Sequence, residues 1–161
     1  MKKTTVGLVA DVAYLYAAKE KLGGNIDYAT LRRRVEDYTQ ATVTTAVAHL
    51  KGIPNQGKFL GSLRHASYRY TFCNDPQDSP AWVAMMAETI LAVAPHVHVL
   101  AVASCDPRLT SILDFAADVW GVKIVLVGFD GTLGDIGDTS DAKLYVDERC
   151  IYVRQPAEVQ Q

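Results

Sequence analysis

A chain of 161 residues has the length of a single domain and can bury a core without disulfide or zinc staples. With 49% hydrophobic and 21% charged residues it is neither disordered, fibrous nor a disulfide scaffold. The net charge of −2 does not predict a nucleic-acid binder, but residues 1–80 carry eleven Lys/Arg against seven Asp/Glu and residues 81–161 five against eleven. Such a division can set a cationic groove beside a carboxylate cluster.

Thr4–Ala10 is a short apolar run and predicts a buried strand ending at Asp11. Val12–Leu22 has helical spacing and is closed by Gly23 and Gly24. Asp27 predicts an N-cap for a helix over Tyr28–Thr39, with Leu31, Val35 and Tyr38 on one face. Ala41–Leu50 predicts a second strand, residues 51–57 a loop, Lys58–Ala66 a short helix and Tyr68–Cys73 a third strand. Asn74–Pro80 reads as a loop that starts an apolar helix over Trp82–Ala94, stopped at Pro95. The apolar faces of that helix (Trp82, Met85, Met86) are candidates for self-association or a protein partner. His96–Ser104 is almost wholly apolar and predicts a central fourth strand, with His96 and His98 at its amino-terminal edge. Asp106-Pro107 opens a helix that ends at Gly121, and Val122–Phe129 predicts a fifth strand. A Gly/Asp-rich loop over 131–141, a short edge strand at Lys143–Val146 and a tail at 156–161 follow a single domain spanning 1–155. Strands alternating with helices predict a three-layer α/β fold around a mostly parallel sheet of about five strands.

Cys73, Cys105 and Cys150 are scattered and odd in number, with no CxxC spacing, which predicts a reduced, cytoplasmic setting without a zinc ribbon. The apolar run before Asp11 is too short for a secretory leader, and no run has the length of a membrane span.

Parallel sheets place their ligands beyond the carboxyl ends of the strands. Asp11 ends the first predicted strand, Ser104-Cys105-Asp106 the fourth, and Asp130, Asp135, Asp138 and Asp141 follow the fifth. Carboxylates gathered at one edge are the ligand set of a Mg²⁺ or Mn²⁺ ion, which can activate water against a phosphodiester. Each Asp taken singly also has an ordinary reading as a helix cap or turn residue.

The segments VGLVADVAYLY at 6–16, IDYATL at 26–31, KFLGSLRHASYRYTF at 58–72, VLAVASCDPRLTSILDFAADVWGVKIVLVG at 99–128 and SDAKLYVDE at 140–148 resemble the NYN branch (the LabA-like proteins) of the PIN-like nuclease superfamily. The resemblance implies a PIN-like, Rossmannoid fold and a Mg²⁺- or Mn²⁺-dependent nuclease acting on RNA or single-stranded DNA. It implies Asp11 and Asp106 as catalytic metal ligands, with Asp141 or Asp78 as the auxiliary carboxylate. The sequence departs from the family pattern at Tyr14, where an Asn is usual, at Cys105, where a Gly is usual, and at Arg108, which stands in place of a second Asp. No Lys precedes the helix at 82, and Glu88 lies well inside it. Two readings stay open: a diverged enzyme, or a catalytically silent domain that binds nucleic acid or protein.

Backbone contacts to a nucleic acid would come from Lys51, Lys58, Arg64, His65 and Arg69, with Arg108 reaching a phosphate beside the acidic pocket. Arg32-Arg33-Arg34 reads as a solvated or partner-facing surface, and Tyr14 and Tyr16 as core, rim or stacking residues. A third reading is a cysteine hydrolase of the isochorismatase type, with Cys105, Asp11 and Lys58 as its reactive set. The segment Val127–Leu133 mimics a haloacid-dehalogenase motif, with Gly128 at the position of the nucleophile.

Overall fold

The computed structural model describes residues 3–52, 56–134, 136 and 140–152. Six strands form one sheet: β1 (Thr5–Asp11), β2 (Thr42–Lys51), β3 (Arg69–Cys73), β4 (Val99–Ala103), β5 (Lys123–Gly128) and β6 (Ala142–Tyr145). Their order is β3-β2-β1-β4-β5-β6 and every neighbouring pair is parallel. The expected count of about five is corrected to six, because the segment at 142–145 pairs fully with β5. The helices are α1 (Val12–Leu15), α2 (Ala18–Leu22), α3 (Tyr28–Thr39), α4 (Gly57–His65), α5 (Pro80–Val93) and α6 (Thr110–Trp120). None among the described residues is long and apolar enough to cross a membrane.

Side chains alternate across a strand, so β1 feeds two cores. Val6, Leu8 and Ala10 pack with Leu31 and Val35 of α3 and Leu63 of α4. Val9 faces the other way, with Trp82, Met86 and Ile90 of α5 and Leu113 of α6. The two layers of helices on a central sheet make the three-layer α/β architecture. Trp82 and Met86, expected as a self-association face, are spent in this core.

The first predicted helix is broken into α1 and α2. Across the joint, Ala17 N–H bonds Tyr14 C=O and Lys19 N–H bonds Tyr16 C=O, a tighter turn than the α-helix. A similar tight turn at Pro107–Leu109 precedes α6, and another at Ala94–His96 shortens the fourth strand to Val99–Ala103. The arginine run is only partly a surface. Arg32 donates to the carbonyls of Val43, Ala66 and Ser67 and so ties α3 to β2 and to the turn before β3. Arg34 reaches Asp147, while Arg33 is exposed.

Gly7 sits where a Cβ would strike the Cγ1 of Val93 at the end of α5. Valine is stiff at that bond, so the clash cannot be relieved cheaply. Gly7→Ala is expected to cost about 1–3 kcal/mol, read as a lower urea midpoint with an unchanged slope.

Candidate functional site

Asp11 closes β1 at the carboxyl edge of the sheet and is 1% exposed. Its carboxylate caps α1, accepting from the Tyr14 N–H at 3.1 Å. The other oxygen accepts from the Trp82 indole N–H at 3.3 Å and from the Gln77 amide at 3.4 Å. Burial pushes this carboxyl above its ordinary range, and the Tyr14, Trp82 and Gln77 donors only partly offset it.

Asp106 follows β4 and is locked to Arg108. The guanidinium Nε lies 3.0 and 3.1 Å from the two carboxylate oxygens, Nη2 lies 2.6 Å from one of them, and the Arg108 backbone N–H adds a cap at 3.0 Å. Partial burial pushes Asp106 up, but the Arg108 hydrogen bonds and charge outweigh it and hold the carboxyl below its usual range. An Asp-x-Arg pair is by itself a local habit of this chain, since Asp147 and Arg149 repeat it on the surface. What distinguishes Arg108 is its outer side. Nη1 donates to the carbonyls of Asp78 and Ser79, and Nη2 to that of Gln77. The arginine thus fastens the loop that delivers Gln77 to Asp11.

Two further groups complete this edge, His49, which sequence reasoning missed, and Tyr14, which it left as a core, rim or stacking residue. His49, at the register position of Asp11 on β2, is fully buried; its Nδ1 lies 2.6 Å from Thr71 Oγ1 and its Nε2 has no hydrogen-bond partner. Tyr14 is a brace: its hydroxyl accepts from the Phe129 N–H at 2.9 Å and lies 2.5 Å from Thr132 Oγ1. A Cβ at Gly128 would strike that hydroxyl, so the glycine of the phosphatase-like segment serves close approach. A histidine inside an otherwise apolar strand was the available signal for His49; nothing in NDPQDSP singled out Gln77.

The expected metal set does not assemble. Asp141 exchanges hydrogen bonds with the backbone of Ile124, at the start of β5. That is the amino edge, about 13 Å along the strands from Asp11. Asp78 is exposed and contributes its carbonyl to Arg108. Asp130 is exposed too, and Asp135 and Asp138 lie outside the described residues. Among the described residues no group of three or more His, Cys, Asp or Glu is arranged to hold a metal ion. The donors around Asp11 and the guanidinium on Asp106 already use the oxygens that Mg²⁺ or Mn²⁺ would need, so these residues do not fit that ion. Of the cysteine-hydrolase set, Lys58 lies exposed on α4 after β2, whereas Cys105 follows β4, with β1 between those two strands. His98 accepts from Thr5 N–H at the amino edge, as its sequence position suggested.

The basic candidates collect elsewhere. Lys51 ends β2, Lys58 and Arg64 lie on α4, and all three are exposed. The Arg64 guanidinium sits 5.9 Å from the Tyr70 ring centre, and Tyr70 meets Phe72 edge-on at 5.5 Å. Tyr70 and Phe72 share one face of the edge strand β3, whereas Arg69 takes the other. Arg108 is spent on Asp106 and the carbonyls of residues 77–79. Tyr16 is exposed, with the Lys19 ammonium 5.9 Å from its ring centre.

No family model and no curated protein matches the chain. Among solved structures it is similar to a protein of unknown function from Vibrio parahaemolyticus, at 18% identity and a TM-score of 0.78, covering 94% of this chain and 100% of that one. That likeness shows a shared fold. Looser likenesses are to a Sir2 enzyme structure (9% identity, TM-score 0.43, 92% of this chain and 88% of that one) and to glucose-6-phosphate 1-dehydrogenase from Mycobacterium avium (11%, 0.39, 86% and 33%).

Desolvation lowers His49 to about 4 from its ordinary 6.5, so the folded imidazole stays neutral where the unfolded one is charged. Its contribution to stability is whole above pH 6.5 and is lost as pH falls toward 4. The urea midpoint of the wild type is expected to fall across that window, and His49→Asn to flatten the fall. Arg108→Gln is expected to cost about 1–2 kcal/mol after solvent screening, because it frees three carbonyls as well as Asp106. Arg149→Gln, which removes the same local fork without a loop behind it, is expected to leave the midpoint unchanged.

Proposed function

We propose that this chain is a PIN-like domain that binds single-stranded nucleic acid, RNA first, without cutting it. One observation carries the reading: Arg108 occupies the Asp106 carboxylate as a built-in cation, with Asp106 on one side and three loop carbonyls on the other. A hydrolytic site of the family's kind depends on a metal between carboxylates, and here those carboxylates serve caps and clamps.

The binding surface is the β3 edge. Lys51, Lys58 and Arg64 supply positive charge for phosphates, and Phe72, 47% exposed, supplies a face for a base. Stacking on an aromatic is indifferent to base identity and suits single strands, whose bases are not already stacked on one another. Arg64 over Tyr70 holds that ring and a charge in one patch.

The test is fluorescence anisotropy with a labelled single-stranded RNA, beside a gel assay of the same RNA with Mn²⁺, Mg²⁺ or EDTA. Phe72→Ala is expected to weaken binding about tenfold, the lower end of a single stacking contact. Lys58→Glu with Arg64→Glu is expected to weaken it further and to reduce the salt slope by about 0.7 per lost phosphate contact. No cleavage is expected in any metal. Metal-dependent cutting that disappears in Asp11→Asn/Asp106→Asn would overturn the reading and establish the nuclease.

A further inference from the structure

We propose that copies of this chain associate head to tail, the apolar and acidic face of α6 on one copy seated on the basic and aromatic β3 edge of the next. The inner side of α6 is occupied by the core through Leu113 and Ala116. Its outer side leaves Phe115, Val119 and Trp120 exposed, with the Phe115 and Trp120 rings edge-on at 5.5 Å. Asp114 and Asp118 stand one turn apart beside the Phe115/Val119 row and take part in none of the ion pairs among the described residues. A contiguous exposed apolar patch rimmed by polar side chains is the usual character of a protein contact surface.

The complement to that face is on the same molecule. The sheet order sorts the chain's charge: β3, β2 and β1 come from the basic half of the sequence, and β4, β5 and β6 from the acidic half. At the basic end, Phe72 and Tyr70 form an apolar centre, with Arg64 against the Tyr70 ring and Lys58 on the same helix, and these two cations are likewise outside every ion pair among the described residues. An acid-rimmed aromatic patch and a base-rimmed aromatic patch are electrostatically matched.

The same charges choose the symmetry. A two-fold contact of α6 with α6 would bring Asp114 and Asp118 against their own copies. A two-fold contact of β3 edges would do the same with Lys58 and Arg64. Head-to-tail packing avoids both, leaves one free surface at each end, and propagates into a ring or an open chain. This inference goes beyond the nucleic-acid reading and does not depend on it; the two occupants would compete for the β3 edge.

The test uses the full chain, nuclease-treated and free of nucleic acid, in sedimentation velocity at low and high salt. Phe115→Ser/Val119→Ser disables one surface and Arg64→Ser/Phe72→Ser the other; all four side chains are exposed, and retained folding is checked by circular dichroism. The wild type is expected to form species larger than a dimer as concentration rises, and fewer of them at about 0.5 M salt, where screening shortens to a few ångströms. Each variant alone is expected to be monomeric, and an equal mixture to form a one-to-one dimer that grows no further, because each partner retains one live surface. A monomeric wild type at every concentration, or variants that do not rescue each other on mixing, would overturn the proposal. A wild type that stops at a dimer abolished only by the α6 changes would overturn it in favour of a two-fold contact. The α6 variant keeps the β3 edge intact, so loss of nucleic-acid binding and loss of association are separately read.

Discussion

Two carboxylates brought to the ends of adjacent strands at one edge of a parallel sheet must be neutralised, by a bound cation or by donors of the protein's own. This chain supplies the donors. Asp11 is held by a helix cap, an indole and an amide, and Asp106 by a guanidinium. Arg108 in turn ties down the carbonyls of residues 77–79, so a loop that would otherwise need other partners is fixed by the same charge that pairs with Asp106. Loop, α5 start and both strand ends share one network, and the arrangement of the edge follows from it.

The architecture was legible because its signals are strong and redundant. Continuous apolar runs at Thr4–Ala10 and His96–Ser104 read as buried strands, and Asp27 and Gly121 stand at helix ends as their chemistry demands: the carboxylate of Asp27 accepts from the Thr30 N–H, and Gly121 takes a left-handed backbone. The sixth strand was harder to see, since four residues with only one buried side chain carry little pattern. The break after α1 was invisible for a different reason. Apolar spacing continues unbroken through residues 12–22, and only the tighter hydrogen bonds at the joint reveal the turn.

The site was half legible. Position at a strand end singled out Asp11 and Asp106, and both lie at the carboxyl edge, whereas Arg in place of an expected acid at 108 left a diverged enzyme and a silent domain equally open. Asp141 was misread because a carboxylate shortly after a strand can turn back to the amino edge as readily as stay at the carboxyl edge, and distance in sequence does not distinguish them. Gln77 and Trp82 reach Asp11 across 66 and 71 residues of chain, a relation that only the packing of α5 on the sheet creates. The basic residues posed the opposite problem. Their charge was plain, but only the strand register separates Arg69, and Lys51 opposite Cys73, from the face of Tyr70 and Phe72 that Arg64 covers.

The chain contains two tryptophans, and the fold assigns them to different places. Trp82 is 1% exposed with its indole N–H on Asp11, whereas Trp120 is 38% exposed at the end of α6. An indole sealed in the interior emits at shorter wavelength than one that meets water, and an external quencher reaches only the latter. The molecule therefore carries two native optical reporters, one tuned to the acid pocket and one to the helix face, each separable from the other without a label.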